Sequence, residues 1–321
     1  MKTKNIQKLF LLALCVFTFA SCKKEAENIF TMFDDVTVTY NNSDPRCVTD
    51  YKLVNDKDEV WIDFTINSAK EDMYSYVVET SAGTAQPSRI TYPITDDTKR
   101  RSFSEIIKLT MNRDGKSSYR VYALNQKGIY IGDGYKKVTI EVNPSYIIYS
   151  GREISLPDTV AKNRNSFFSL SDGTTYSYNN GAANAAKIDF GIYRTMYKDN
   201  QNNTLYAINL YNANKSVTTF PIYDVSSWTN KRLTKFSAPV SGQNNVFVNN
   251  AISGSTIETL ARARTINLDA TTATTVAAGL NVNSAVFFLT PEGKYGMMLV
   301  TRVTADVSGN PFILVNVKMQ R

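Results

Sequence analysis

Between residues 36 and 142 the chain repeats one pattern: β-branched and aromatic side chains alternate with polar ones, and Asn, Asp, Gly or Ser cuts the run short. Val36-Thr37-Val38-Thr39-Tyr40 and Val60-Trp61-Ile62-Asp63-Phe64-Thr65-Ile66 are two examples. A period of two sends successive side chains to opposite faces, so such a run buries one face as a strand and cannot do so as a helix. Similar runs at 74–79, 104–109, 118–124 and 137–142 bring residues 30–143 to the strand content of one sandwich. Trp61 shares its run with apolar neighbours and is expected in the core.

Val142-Asn143-Pro144-Ser145 marks a boundary, because proline ends ladder pairing and a new apolar run starts at Tyr146. Beyond it, strands are predicted at 187–193, 204–210, 285–289, 295–303 and 312–317. Pro291-Glu292-Gly293 and Ser308-Gly309-Asn310-Pro311 supply two tight turns. One short helix is expected where Ser255-Thr256-Ile257-Glu258 fits a capping box and Ile257, Leu260 and Ala261 share a face. The fold class is all-β: a first sandwich, then a second, larger sandwich or barrel-like unit over 145–321.

The first 22 residues have a different composition. Lys2, Lys4 and Lys8 precede an uncharged apolar run over 9–20, followed by Ser21-Cys22. This is the layout of a secretory signal, and the run falls short of the roughly 20 residues that a bilayer-spanning helix needs. Phe19-Ala20-Ser21-Cys22 resembles the lipobox of bacterial lipoproteins. That resemblance implies cleavage after residue 21, lipid on Cys22 and a tether over 22–29. At ~0.8 kcal/mol per buried CH₂, several acyl chains would hold the protein on a membrane permanently. Lys23-Lys24-Glu25-Ala26-Glu27 partly resembles the acidic export signal of Bacteroidetes surface lipoproteins, which implies an outer-membrane, cell-surface location.

Loss of residues 1–21 removes three lysines and no acid, lowering the formal net charge from +7 to +4. The remaining cations are scattered, with no tract longer than Lys99-Arg100-Arg101, so no nucleic-acid partner is expected. Cys15 would leave with the leader and lipid would occupy Cys22. Cys47 then stands alone, no disulfide can form within the chain, and stability must come from packed cores.

Two further resemblances bear on the fold. Tyr119-Arg120-Val121-Tyr122-Ala123-Leu124-Asn125 resembles the Tyr-x-Val-x-Ala-x-Asn strand of fibronectin type III and immunoglobulin-like domains, which implies an immunoglobulin-like sandwich over 30–143 with Tyr119 as its corner tyrosine. Ala185-Ala186-Lys187-Ile188-Asp189-Phe190-Gly191-Ile192-Tyr193 and the hairpin around Gly293-Lys294-Tyr295-Gly296 look like the C-terminal domains of uncharacterised Bacteroidetes lipoproteins. That family implies a β-rich domain and carries no activity to transfer.

The chain contains no histidine, which excludes Ser/His/Asp and Cys/His nucleophilic sites and every His-bearing zinc site. It has no phosphate-cradling or dinucleotide-binding glycine motif, and no metal or cofactor is expected. Carboxylates remain: Asp189, Asp224, Glu258 and Glu292 are the acids that a glycosidase would need, although none lies in a recognisable motif. Asp56-Lys57-Asp58-Glu59 and Asp199-Asn200-Gln201-Asn202-Asn203 could offer oxygens to calcium but read better as turns. For glycan binding, Trp228 leads, with Asn230 and Arg232 beside it as hydrogen-bonding groups; Tyr176 and Tyr178 follow. Against this stands a Trp228 packed beneath its own loop. The reading is a membrane-anchored, non-catalytic surface lipoprotein that binds a glycan or an envelope protein through its C-terminal domain. The alternatives are a structural or adhesive component pairing through a strand such as Phe312-Ile313-Leu314-Val315, or a carboxylate glycosidase.

Overall fold

The computed structural model describes residues 36–132, 135–215 and 223–321. The leader, Cys22 and the tether lie outside the described residues. In the N-terminal half, β1 (Val36–Tyr40), β3 (Glu59–Ser68) and β6 (Ser102–Thr110) form an antiparallel sheet in the order β1-β3-β6. Facing it, β2 (Tyr51–Val54), β4 (Ser75–Ala82), β5 (Ser88–Pro93), β7 (Gly115–Leu124) and β8 (Val138–Val142) pair in the order β2-β8-β7-β4-β5, with β2 parallel to β8. Val36, Val38, Ile62, Phe64 and Ile66 from one sheet and Tyr76, Val78, Val121, Val138 and Ile140 from the other form a single core. This three-on-five arrangement is an immunoglobulin-like sandwich.

Two expectations fail here for local reasons. Trp61 sits on the outward parity of β3, opposite the buried Val60 and Ile62, with the Arg46 guanidinium 3.7 Å and the Lys108 ammonium 4.3 Å from its ring. It is a cation-flanked surface ring. The tyrosine that ties the two sheets together is Tyr40, whose hydroxyl accepts from Val121 N at 3.2 Å. Tyr119 is half-buried against the same core.

The C-terminal half is built from β9 (Tyr146–Ser155), β10 (Asn165–Phe168), β11 (Thr175–Ser177), the single turn α1 (Tyr178–Gly181), β12 (Phe190–Lys198), β13 (Thr204–Tyr211), β14 (Lys235–Phe236), α2 (Gly254–Arg262), β15 (Ala285–Leu289), β16 (Tyr295–Ala305) and β17 (Pro311–Gln320). Two open sheets result, ordered β11-β10-β12-β13 and β14-β15-β16-β17-β9, so the unit is a sandwich and not a barrel. Ile192 and Leu210 meet Phe288, Val300, Ile313 and Val315 between the sheets. Both outer faces are also covered. Ile257 and Ala261 of α2 pack with Phe287, Met297 and Leu299 on one side, and an aromatic cluster closes the other. Phe312–Val315 falls within β17, which is paired to β16 and β9 along both edges and has none free for strand exchange. The capping box is Ser253 with Thr256, two residues earlier than the Ser255 and Glu258 pair.

A polar joint links the halves. The Asp114 carboxylate accepts from Ser145 N and Oγ, both at 2.6 Å, and Ser145 Oγ accepts from Gly254 N at 2.7 Å. Asp56 accepts from Ser255 N at 2.6 Å and Ser255 Oγ at 2.7 Å, at the N-terminus of α2 where the helix dipole favours a carboxylate. This joint lies at the Glu59 end of β3, whereas Val36 pairs with Ser68 at the other end. The chain therefore comes into the first sandwich at the end remote from the second.

Candidate functional site

The stretch around Trp228 folds inward. Trp228 is 6% exposed, with its ring centroid 4.9 Å from Phe167 and 5.7 Å from Tyr178. Gly181 lies beneath it, and a Cβ there would fall inside van der Waals contact of the indole. The Tyr178 hydroxyl donates to the Asp224 carbonyl at 2.7 Å, while Tyr176 packs at the margin of the same cluster. Trp228, Tyr176 and Tyr178 do come together, but as the plug that seals the outer face of β11-β10-β12-β13. Of the two readings of Trp228, the structure has the one packed beneath its own loop and not the exposed platform: burying a ring of this size against Phe167 outweighs leaving it in water. Asn230 is exposed and occupies a left-handed turn position at φ 54°.

Arg232 serves a structural knot. Its Nε donates to Asp189 Oδ1 at 2.8 Å, and its two terminal nitrogens reach Glu292 at 2.6 and 2.7 Å. Asp189 is fully buried and also accepts from Leu170 N at 2.7 Å and Thr234 Oγ1 at 2.6 Å. Its burial costs are met by three donors from two segments, 170 and 232–234. Hydrogen bonding to Arg232 is the main cause that holds the Glu292 carboxyl down at about 2. The knot joins the start of β12 to the β15–β16 turn, and a guanidinium fills the space between the two carboxylates.

The other acids are similarly engaged. Asp224 accepts from Ser226 N at 2.9 Å, and Glu258 pairs with Arg262 at 2.8 Å. Asp199 Oδ1 accepts from Gln201 N and Asn203 N, which makes that loop a hydrogen-bonded turn. Among the described residues, no group of three or more His, Cys, Asp or Glu is placed to hold a metal ion.

What sequence reading missed lies at the far end of the C-terminal sandwich. The β12–β13 hairpin starts beside the Asp189 knot and runs away from the joint. Ile208 is the outermost buried residue on its face of β13, and the segment 280–283 bridges it to the facing sheet, Leu280 N donating to the Ile208 carbonyl and Asn283 N to the Val300 carbonyl. One step further out, Met196 pairs with Tyr206 across the hairpin, and the two are 68% and 43% exposed. The Arg194 guanidinium lies 4.3 Å from the Tyr206 ring. Alternation places these side chains on one strand face, but it does not reveal that they are left exposed there. Comparison with known proteins finds no matching family model and no similar curated protein.

Proposed function

We propose that the chain is an exported, lipid-anchored, non-catalytic surface protein that presents its C-terminal sandwich to a protein partner at the end farthest from the membrane. The observation that carries the reading is chain direction: a tether on Cys22 leads to the Val36 end of the first sandwich, while the second sandwich is joined to the opposite end. With strands of up to ten residues at ~3.3 Å each, the first sandwich would hold the second roughly 30 Å clear of its own tethered end. At the far end, Met196, Tyr206 and Arg194 are the residue types that dominate buried protein interfaces. The basic, apolar and Ser-Cys order of the leader supports export and lipidation. Asp189, Glu292, Glu258 and Asp224, the four acids considered for a glycosidase, are committed to ion pairs and turns, which supports a non-catalytic role.

Growth of an expressing bacterium with labelled palmitate should mark the wild-type protein and not Cys22→Ala. A photo-crosslinking residue at position 206 on intact cells should give one discrete adduct with an envelope protein, weakened by Met196→Ser. An unlabelled wild-type chain would refute the anchor, and the absence of any adduct would refute the far-end partner.

A structural role in the envelope is favoured by a different observation. All six residues of the edge strand β5 are exposed, offering an unpaired ladder edge.

A further inference from the structure

We propose that the outer face of the β2-β8-β7-β4-β5 sheet holds a saccharide unit, in a shallow pocket of about 350 Å³ lined by Glu79, Ser81, Ser118, Arg120, Tyr135 and Lys137. Strand register builds it. Glu79 stands directly beside Arg120, and Ser81 directly beside Ser118, so a charged row and a hydroxyl row run side by side across β4 and β7. From the neighbouring edge strand, Arg89 Nε donates to Glu79 Oε2 at 2.6 Å and steadies that carboxylate.

Aromatic rings surround the cation. The Arg120 guanidinium lies 5.2, 5.5 and 6.0 Å from the rings of Tyr122, Tyr130 and Tyr135, and it donates to the Tyr130 hydroxyl at 3.0 Å. Tyr122 and Tyr130 meet edge to face at 5.4 Å. Tyr135 is 74% exposed and is held at φ 58°. Left-handed backbone at a non-glycine residue is a strained placement, and strain of this kind clusters at ligand sites.

The chemistry of this wall selects its ligand. Glu79 calls for hydrogen-bond donors, which a phosphodiester lacks and a sugar hydroxyl supplies. An apolar ligand could not satisfy Glu79, Arg120 and the two serines that line part of the pocket. A pyranose offers what the wall complements: a C–H face for the Tyr135 ring, and adjacent hydroxyls that can donate to Glu79 and accept from Arg120, Lys137 and the serines. The pocket is in the first sandwich, so it is separate from the far-end surface proposed above.

The test is calorimetric titration of the full mature chain with hexasaccharides of α-1,4-glucose, β-1,4-glucose, β-1,4-xylose, β-1,4-mannose and α-1,4-galacturonate. At least one series should bind, and Tyr135→Ala should weaken it by about three- to tenfold, the scale of one ring contact. Ser118→Ala, which removes the hydroxyl without adding bulk to the pocket, should also weaken it, while Tyr206→Ala should leave it unchanged. The proposal is overturned if none of the five series binds. It is equally overturned if Tyr135→Ala and Ser118→Ala bind as tightly as wild type, or if Tyr206→Ala alone abolishes binding.

Discussion

Replacing Arg232 with leucine should destabilise the C-terminal sandwich severely, because it strands a carboxylate that has no access to water. Asp189 is fully buried, while the Arg232 side chain is 15% exposed and supplies the only cation within ion-pair distance of Asp189 among the described residues. Removing one member of a buried pair costs about 3–5 kcal/mol, since the remaining charge keeps its desolvation penalty without compensation. Against a typical stability of roughly 5–15 kcal/mol, this is about a fifth of the total or more. With a urea slope of about 2 kcal/mol/M, the unfolding midpoint should fall by about 1.5–2.5 M. Tryptophan fluorescence reports it cleanly in a Trp61→Phe background, because the remaining Trp228 is buried in the sandwich that loses the pair. Asp189→Asn in the same chain removes the stranded charge, so the double variant should be more stable than Arg232→Leu alone. A midpoint shift below about 0.5 M, or a double variant equal to the sum of the singles, would refute a charge-compensating role for Arg232.

The outer arm of the same knot should respond to acid. Glu292 titrates at about 2 in the fold against an ordinary 4.5, so its contribution is present above pH 4.5 and is lost as pH falls toward 2. Since this carboxylate is 48% exposed, screening limits the effect to about 1 kcal/mol. Urea midpoints of wild type and Glu292→Gln should differ at pH 7 and converge near pH 2; a constant difference would contradict the pairing. At the joint, Asp56→Ala with Asp114→Ala removes four hydrogen bonds of 2.6–2.7 Å. Small-angle scattering should then show a broader distribution of interdomain distances, and an unchanged profile would place the coupling elsewhere. Lys318 is buried and donates to the carbonyls of Phe247 and Ala251, both at 2.7 Å. Lys318→Met should cost about 2 kcal/mol by leaving both acceptors unbonded, lowering the melting temperature by about 5 °C. An unaltered melting curve would mean that those carbonyls find other donors.

How much of this was legible depended on whether one face of a strand was buried and the other wet. In β1 the burial alternates perfectly, as the sequence does, and both hairpins of the closing meander fall where Pro291-Glu292-Gly293 and Ser308-Gly309-Asn310 place them. β5 gave no signal because none of its six residues is buried, and β14 is only two residues long. Residues 187–189 continued an apolar pattern, yet the strand begins at Phe190, since Ile188 and Asp189 are spent on the turn and the buried knot. The site suffered most from a second effect. In the C-terminal unit both sheets are covered on both faces, so side chains of either parity can be buried, and a polar loop can still have an apolar underside. Trp228 lies in such a loop: its neighbours Ser226, Ser227, Thr229 and Asn230 suggested exposure, while the partners that bury it, Phe167, Tyr178 and Gly181, lie 47 or more residues away in sequence. Arg232 failed for the matching reason, because its two acids come from positions 189 and 292. Local spacing can tell that a residue has binding chemistry; whether a ligand or the fold itself uses that chemistry is decided by contacts that local sequence does not contain.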